Sequence, residues 1–123
     1  MSKINSPAGF KNLVRQVFAE KGWTIPAFVE YKTSQRDRWY RTVRTTIWQS
    51  ETLSFYLEYR LGEVSCRMER GHLPTLDRGI GPDDLLRMAI ALQIAAEVIE
   101  RYYFRLNLVK EKNLVPEQIS RAD

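Results

Sequence analysis

The segment "TLSFYLEYRL", residues 52–61, has the clearest alternation of apolar and polar side chains in the chain. Successive side chains of a β-strand point to opposite faces of the sheet, so this alternation predicts a strand with one apolar face. That face requires a layer of other apolar residues to cover it. The apolar positions are Leu53, Phe55, Leu57, Tyr59 and Leu61, and the alternating ones are Ser54, Tyr56, Glu58 and Arg60.

Three further segments favour strands that lie beside this one. "FVEYKTS" follows Pro26, a second segment runs from Trp39 to about Trp48, and "VSCRMER" follows Gly62-Glu63. All are rich in β-branched or aromatic residues, or alternate with a period of two. Because the connections at Ser50-Glu51 and Gly62-Glu63 are short, we expect an antiparallel meander of three to four strands.

A helix is predicted before these strands, in "GFKNLVRQVFAEKG". Its apolar residues fall at i, i+3, i+4, i+7 and i+8, which is one face of a helix. Ser6 and Pro7 suit its start, and Gly22 suits its end. Lys11 and Arg15 lie away from the apolar stripe, so the outer side of this helix is basic.

A long helix is predicted after the strands. Pro82, Asp83 and Asp84 favour its start, and no breaker follows until about Asn113 or Pro116. We expect its first half to pack on one face of the sheet and its second half to extend past the sheet. Aromatic and apolar residues in that second half then need the first helix or a second molecule to cover them, which predicts a partner or homodimer interface at Tyr102, Tyr103, Phe104 and Leu106.

The predicted fold is therefore a single α+β domain over residues 1–123, with a flexible tail from about residue 116. Its 123 residues are 44% hydrophobic with a net charge of +4, which suits one folded domain with a core of its own. Cys66 is the only cysteine, so an intrachain disulfide is excluded. The most apolar stretch, Met88 to Ile99, is too short to span a bilayer. We expect a cytoplasmic protein that does not enter the membrane.

The basic charge is concentrated in the first fifty residues, which contain nine Lys or Arg and three acidic residues. Alternation places Trp39, Val43 and Ile47 of the second strand in the core, with Arg41 at its rim. The outward set of this and the neighbouring strands combines aromatic rings with arginines, as in surfaces that stack bases and contact phosphates. It consists of Tyr40, Arg44, Trp48, Tyr56, Arg60 and Arg67.

Two other interpretations of this outward set remain open. Tyr, Trp and Arg are also frequent anchors of protein interfaces. Alternatively, Glu58 and Glu69 pair with the arginines across the strands. The leading functional hypothesis is nucleic-acid binding through this sheet face and through Lys11 and Arg15 of the first helix. The alternative is a protein-interaction or assembly subunit.

No motif in the sequence predicts catalysis, a metal site or a cofactor. His72 is the only histidine, and no serine or cysteine lies in a recognisable nucleophile motif. Cys66 and His72 lack the further ligands of a metal site, and the helix dipole accounts for Asp83 and Asp84. We therefore predict a binding or accessory module that is not an enzyme.

Two segments resemble the double-stranded RNA-binding domain. "LVRQVFAEKGWTIPAFVEY" is similar to the first helix, loop and first strand of that family, and "GIGPDDLLRMAIALQIAAEVI" to its last loop and helix. The resemblance implies helices on one face of an antiparallel sheet and binding of duplex RNA. The family opens its last helix with a lysine pair, whereas this chain has Asp83, Asp84 and Leu85, and its strand region carries one strand more. The resemblance thus implies protein binding, or nucleic-acid binding through another face, because carboxylates repel phosphates.

Overall fold

The computed structural model describes residues 3–24, 27–36, 38–50, 53–70 and 81–122, with side chains as far as residue 110 except that of residue 35. The four strands form one antiparallel sheet in the order β1-β2-β3-β4. The predicted α+β fold is confirmed, whereas His72 and the loop around it lie outside the described residues. The elements are α1 (Pro7–Glu20), β1 (Val29–Gln35), β2 (Arg38–Gln49), β3 (Leu53–Arg60), β4 (Glu63–Arg70) and α2 (Pro82–Ala122).

Helix α1 starts and ends as its sequence predicts. The Oγ of Ser6 accepts a hydrogen bond from the Gly9 amide at 3.0 Å, which satisfies one of the free N–H groups of the first turn. After the last turn, Gly22 adopts a positive φ of 70°. The predicted apolar stripe is buried and consists of Phe10, Leu13, Val14, Val17 and Phe18.

Both helices pack on the same face of the sheet, which we call the helix side. The ring of Phe10 in α1 stacks on Tyr59 of β3, with ring centroids 5.8 Å apart. Tyr59 also contacts Tyr102 of α2 edge-on, at 6.4 Å. Because one tyrosine of the sheet touches both helices, the sheet and the two helices share one core. Val43, Leu57, Val64, Ala91, Ile94 and Val98 complete its centre.

The prediction that Trp48 points outward is wrong. The pairing of β2 with β3 shifts between Thr46 and Trp48, where β2 contains one extra residue. Such a bulge reverses the alternation of side chains beyond it. Trp48 therefore lies opposite Phe55 on the helix side, only 9% exposed, with ring centroids 5.9 Å apart.

The prediction that Trp39 belongs to the core is also wrong. Trp39 lies opposite Ser34 near the tip of the β1–β2 hairpin, whereas β3 ends at Arg60, opposite Thr42. The hairpin tip thus extends beyond β3. Trp39 is on the helix side by alternation, yet its side chain is 69% exposed because neither helix covers this tip.

Helix α2 has 41 residues and continues past Pro116, further than the sequence predicted. Its tyrosines need no second molecule to cover them, because they pack against the sheet of the same chain. Tyr102 is fully buried and its hydroxyl donates to the carbonyl of Gly62 in the β3–β4 turn. The hydroxyl of Tyr103 accepts from the Val64 amide at 3.2 Å and lies 3.3 Å from the Val64 carbonyl oxygen.

The other two residues of the predicted interface have different environments. Leu106 is partly buried against the core, while Phe104 is 63% exposed. Only Phe104 therefore has the free surface that the sequence predicted for all four. No helix in the described part of the chain is both long and apolar enough to cross a membrane.

Candidate functional site

The sheet face opposite the helices, which we call the outer face, has an arginine stacked on tyrosines at its centre. The guanidinium of Arg44 lies 3.8 Å from the ring centroid of Tyr56 and 5.6 Å from that of Tyr31. Arg44 also donates to the Tyr31 hydroxyl at 3.3 Å. Tyr56 is only 8% exposed, so this ring has little surface left for a base.

The arginines of the outer face are paired with carboxylates of neighbouring strands. Arg44 lies 3.9 Å from Glu58 and 3.5 Å from Glu69, and the Nε of Arg67 lies 3.5 Å from Glu58. The Glu58 side chain is 7% exposed. Cross-strand ion pairing, one of the three interpretations drawn from the sequence, is thus confirmed for this face.

A shallow cleft of about 270 Å³ lies at the β3–β4 end of the outer face. It is lined by Glu58, Glu63, Arg60 and Arg67, together with Leu61 and Ser65. Two acidic and two basic side chains leave it without a net charge. The cleft therefore has no electrostatic preference for an anion such as phosphate.

A second charged surface lies where α1 meets the β1–β2 hairpin, and its charges are not balanced. Glu30 of β1 forms ion pairs with Lys11 of α1 and with Arg41 of β2, the latter at 3.2 Å. The hydrogen bond from Lys11 is the main reason that the pKa of Glu30 lies below its ordinary value. One carboxylate thus holds two cations in place and neutralises only one of their charges.

Further basic residues extend this surface along both elements. Arg15 lies one turn beyond Lys11, with its guanidinium 5.2 Å from the ring centroid of Phe28. Lys32, Arg36 and Arg38 are exposed on the hairpin, and none of the described residues forms an ion pair with them. We call this surface the hairpin patch. Its helix-side members are Lys11, Arg15, Lys32, Trp39 and Arg41 around Glu30, and it continues round the hairpin through Arg36 in the turn to Arg38, which lies on the outer side of β2.

The hairpin patch borders a cleft of about 450 Å³. Its walls are the first turns of α1 on one side and Glu30 and Arg41 on the other. Lys11, Asn12 and Arg15 point into it from the helix. Three basic side chains, Lys11, Arg15 and Arg41, line this cleft with Glu30 as its described acid, and Lys32, Arg36 and Arg38 lie on the hairpin beyond it.

The structure divides the predicted site residues between three environments. Lys11 and Arg15 belong to the hairpin patch, and Trp48 belongs to the core. The remaining members of the predicted surface lie on the outer face, where Tyr40 is opposite Thr33 and Arg60 is opposite Thr42 and Glu63. Those members are Tyr40, Arg44, Tyr56, Arg60 and Arg67.

The sequence prediction did not include the hairpin half of the patch. Alternation assigns Trp39 to the core side, and it is the length of the hairpin beyond β3 that exposes this residue. The excess of Lys and Arg in residues 1–50 was the available signal, since it includes Lys32, Arg36 and Arg38.

Two further features of the described residues concern metal binding and the single thiol. No group of three or more His, Cys, Asp and Glu side chains lies close enough together within them to hold a metal ion. Cys66 is partly buried, and burial raises the pKa of its thiol, which disfavours the reactive thiolate. Comparison with protein-family models, curated proteins and solved structures found no match for this chain.

Proposed function

We propose that this protein is a binding module and that it binds nucleic acid through the hairpin patch. The observation that carries the proposal is the accumulation of six basic side chains beside one described carboxylate, on the surface of α1 and the β1–β2 hairpin. Proteins bind nucleic acid largely by neutralising backbone phosphates with Lys and Arg. The patch offers such charges on two packed elements, and Glu30 holds two of them, Lys11 and Arg41, in place.

The geometry favours the hairpin patch over the outer face. Arg44 and Arg67 of the outer face are engaged by Glu58 and Glu69, so a phosphate would have to compete with those carboxylates. In the hairpin patch, Lys32, Arg36 and Arg38 have no such competitor among the described residues. The proposal therefore keeps the predicted basic first helix and replaces the predicted sheet face by the hairpin.

The acidic start of α2 does not interfere with this surface. Asp83 and Asp84 are exposed in the first turn of α2, about nineteen residues before Tyr102. At 1.5 Å per residue, this distance is about 28 Å along the helix axis. Tyr102 lies at the end of the sheet that holds the β3–β4 turn, and the hairpin tip extends from this same end. The two carboxylates therefore lie towards the opposite end of the sheet.

The test is a salt titration of binding with matched charge-removing variants. Fluorescence anisotropy with labelled single-stranded and duplex 20-mers of DNA and RNA measures affinity between roughly 25 and 200 mM salt, where phosphate contacts weaken steeply. We expect K32A/R36A/R38A to lose about tenfold or more in affinity at the lowest salt and to reduce the salt slope by about two to three.

The control is R70A/R87A/K110A, which removes the same charge from exposed positions on β4 and α2. We expect this variant to retain affinity within about twofold, because only the long-range part of the attraction is lost. Absence of binding by the wild-type protein at low salt, or equal losses in the two triple variants, would contradict the proposal.

A protein-interaction role is the second candidate, and the exposed part of α2 supports it. Phe104 is 63% and Leu108 39% exposed, and they lie one helical turn apart. Apolar side chains at this spacing form a stripe that suits helix docking. Light scattering coupled to gel filtration of the wild type and of F104A/L108A tests it. A larger species that becomes monomeric in the variant would support this role, and a monomeric wild type would argue against self-assembly.

A further inference from the structure

We infer that the hairpin patch binds single-stranded nucleic acid and that the indole of Trp39 stacks on an unpaired base. This inference rests on the proposed function and adds the class of nucleic acid to it. It also assigns a role to Trp39 that the cationic residues of the patch do not have.

The exposure of Trp39 is the first observation behind this inference. At 69%, it is the most exposed of the large hydrophobic residues in the described ranges. Trp48 is 9% exposed in the core, and Trp23 is partly buried against that core. Trp39 lies outside the core cluster, so the fold leaves the indole free for a ligand.

The second observation is the set of groups that surround Trp39. Ser34 lies directly opposite it on β1, Lys32 lies diagonally opposite, and Arg41 follows two residues later on the same side of β2. Side chains at such positions are about 5 to 8 Å apart. Glu30 fixes one side of Arg41, which holds this guanidinium near the strand. An aromatic ring beside a pair of cations offers one surface for a base and two charges for neighbouring phosphates.

Stacking on Trp39 requires a base with an exposed face, and this requirement favours single-stranded over duplex nucleic acid. Inside a duplex both faces of each base are stacked on neighbouring bases, whereas an unpaired base can turn a face towards a side chain. A side chain that stacks on bases therefore gains affinity for a single strand and gains little for a blunt duplex. Cations alone bind both forms, so Trp39 is the part of the patch that would discriminate between them.

The experiment compares a labelled 15-nucleotide single strand with a blunt duplex of the same sequence, using W39A, W39F and L86A. Base stacking on an aromatic side chain is worth about 1–3 kcal/mol, so we expect W39A to weaken single-strand binding about 5- to 150-fold. Duplex binding should change by less than about twofold, and W39F should retain most of the affinity because a phenyl ring still stacks.

L86A is the control, because it removes an apolar side chain of similar exposure, 62%, from outside both the patch and the Phe104–Leu108 stripe. We expect it to bind both ligands as the wild type does. Circular dichroism of each variant should match the wild type, since neither side chain is part of the buried core. Tryptophan fluorescence that is quenched by the single strand in the wild type but not in W39F would support stacking directly.

The outcomes separate this inference from the proposed function. If W39A binds single strand and duplex as the wild type does, while K32A/R36A/R38A weakens both, the stacking inference is wrong and the proposed function stands. If the wild type binds neither ligand at low salt, the proposed function is itself wrong. Equal weakening of single strand and duplex in W39A would also overturn the inference.

Discussion

Trp39 and Trp48 belong to the same strand, and a strict alternation of side chains assigns each of them to the wrong environment. For Trp48 the cause is one extra residue in β2, which moves the side chains beyond it to the opposite face of the sheet. For Trp39 the cause is the reach of the hairpin beyond β3, where no helix covers the helix side. The two indoles thus contribute to different properties, one to the stability of the core and the other to the surface.

These environments predict opposite effects on stability. We expect Trp48→Ala to lower the free energy of unfolding by about 3–5 kcal/mol, because a buried aromatic ring against Phe55 is replaced by a cavity. Trp39→Ala should change it by less than about 0.5 kcal/mol, as for most exposed positions. Urea unfolding monitored by far-ultraviolet circular dichroism measures both. A larger loss in Trp39→Ala than in Trp48→Ala would contradict the bulge and the hairpin geometry.

At the scale of the elements, the two helices are held together by a small ion-pair network. Arg101 of α2 lies 2.7 Å from Glu20 of α1 and 3.0 Å from Glu97 of its own helix. Lys21, which follows α1, lies 3.1 Å from Glu97. The hydrogen bond from Arg101 lowers the pKa of Glu20, and that from Lys21 lowers the pKa of Glu97.

These lowered pKa values predict that acid weakens the α1–α2 contact. A carboxyl whose pKa is lower in the folded than in the unfolded protein stabilises the fold above its ordinary value of 4.5. This contribution is lost as the pH falls through the folded-state pKa. We expect the midpoint of thermal unfolding to fall between pH 5 and pH 3, and to fall less in E20Q/E97Q. An equal fall in that variant would show that the network does not carry the effect.

The order of the elements is predictable from the sequence, whereas the register between β2 and β3 at the bulge is not. The stripe of Phe10 to Phe18 and the alternation of Leu53 to Tyr59 are local patterns, and each element adopts the structure that its pattern predicts. The bulge depends on how β2 pairs with β3, which is a relation between distant residues. The outward position of Arg44 was predicted correctly because it precedes the bulge, and that of Trp48 was not because it follows it.

At the scale of the whole molecule, buried tyrosine hydroxyls connect the N-terminal segment, the sheet and α2. Tyr59 of β3 donates to the carbonyl of Asn5 at 2.7 Å, and Tyr102 donates to Gly62 in the β3–β4 turn. Burial raises the pKa of Tyr59, and it raises that of Tyr102 to about 12. Both hydroxyls are donors only while they are protonated.

From the raised pKa values of these tyrosines we predict a cooperative loss of structure at alkaline pH. A tyrosine with a raised pKa stabilises the fold fully below its unfolded value of 10.0, and this contribution is lost as the pH rises towards about 12. We expect unfolding in this range, measured by circular dichroism together with absorbance at about 295 nm, where tyrosinate absorbs. Tyr102→Phe should lose about 1 kcal/mol at neutral pH, for its hydrogen bond, and should depend less on alkaline pH. An unchanged alkaline transition in Tyr102→Phe would contradict the assignment.

The molecule as a whole also shows which part of the candidate site the sequence could predict. Lys11 and Arg15 were predicted because they lie off the apolar stripe of a helix, which is a local property. Lys32, Arg36 and Trp39 join them only because the β1–β2 hairpin extends past the rest of the sheet. The length of an extension depends on where three strands end relative to one another, and no single segment contains that information.

The contact of Tyr103 with β4 has a consequence for how this protein behaves at high concentration. β4 is the last strand of the sheet, so the N–H and C=O of Val64 that meet the Tyr103 hydroxyl face away from β3. Free backbone groups on such a strand are a template on which another chain can add a strand of its own. By occupying both groups with one side chain, α2 closes the first part of this edge to intermolecular strand pairing. The long helix therefore blocks strand addition at this point of the edge as well as covering the core of the sheet.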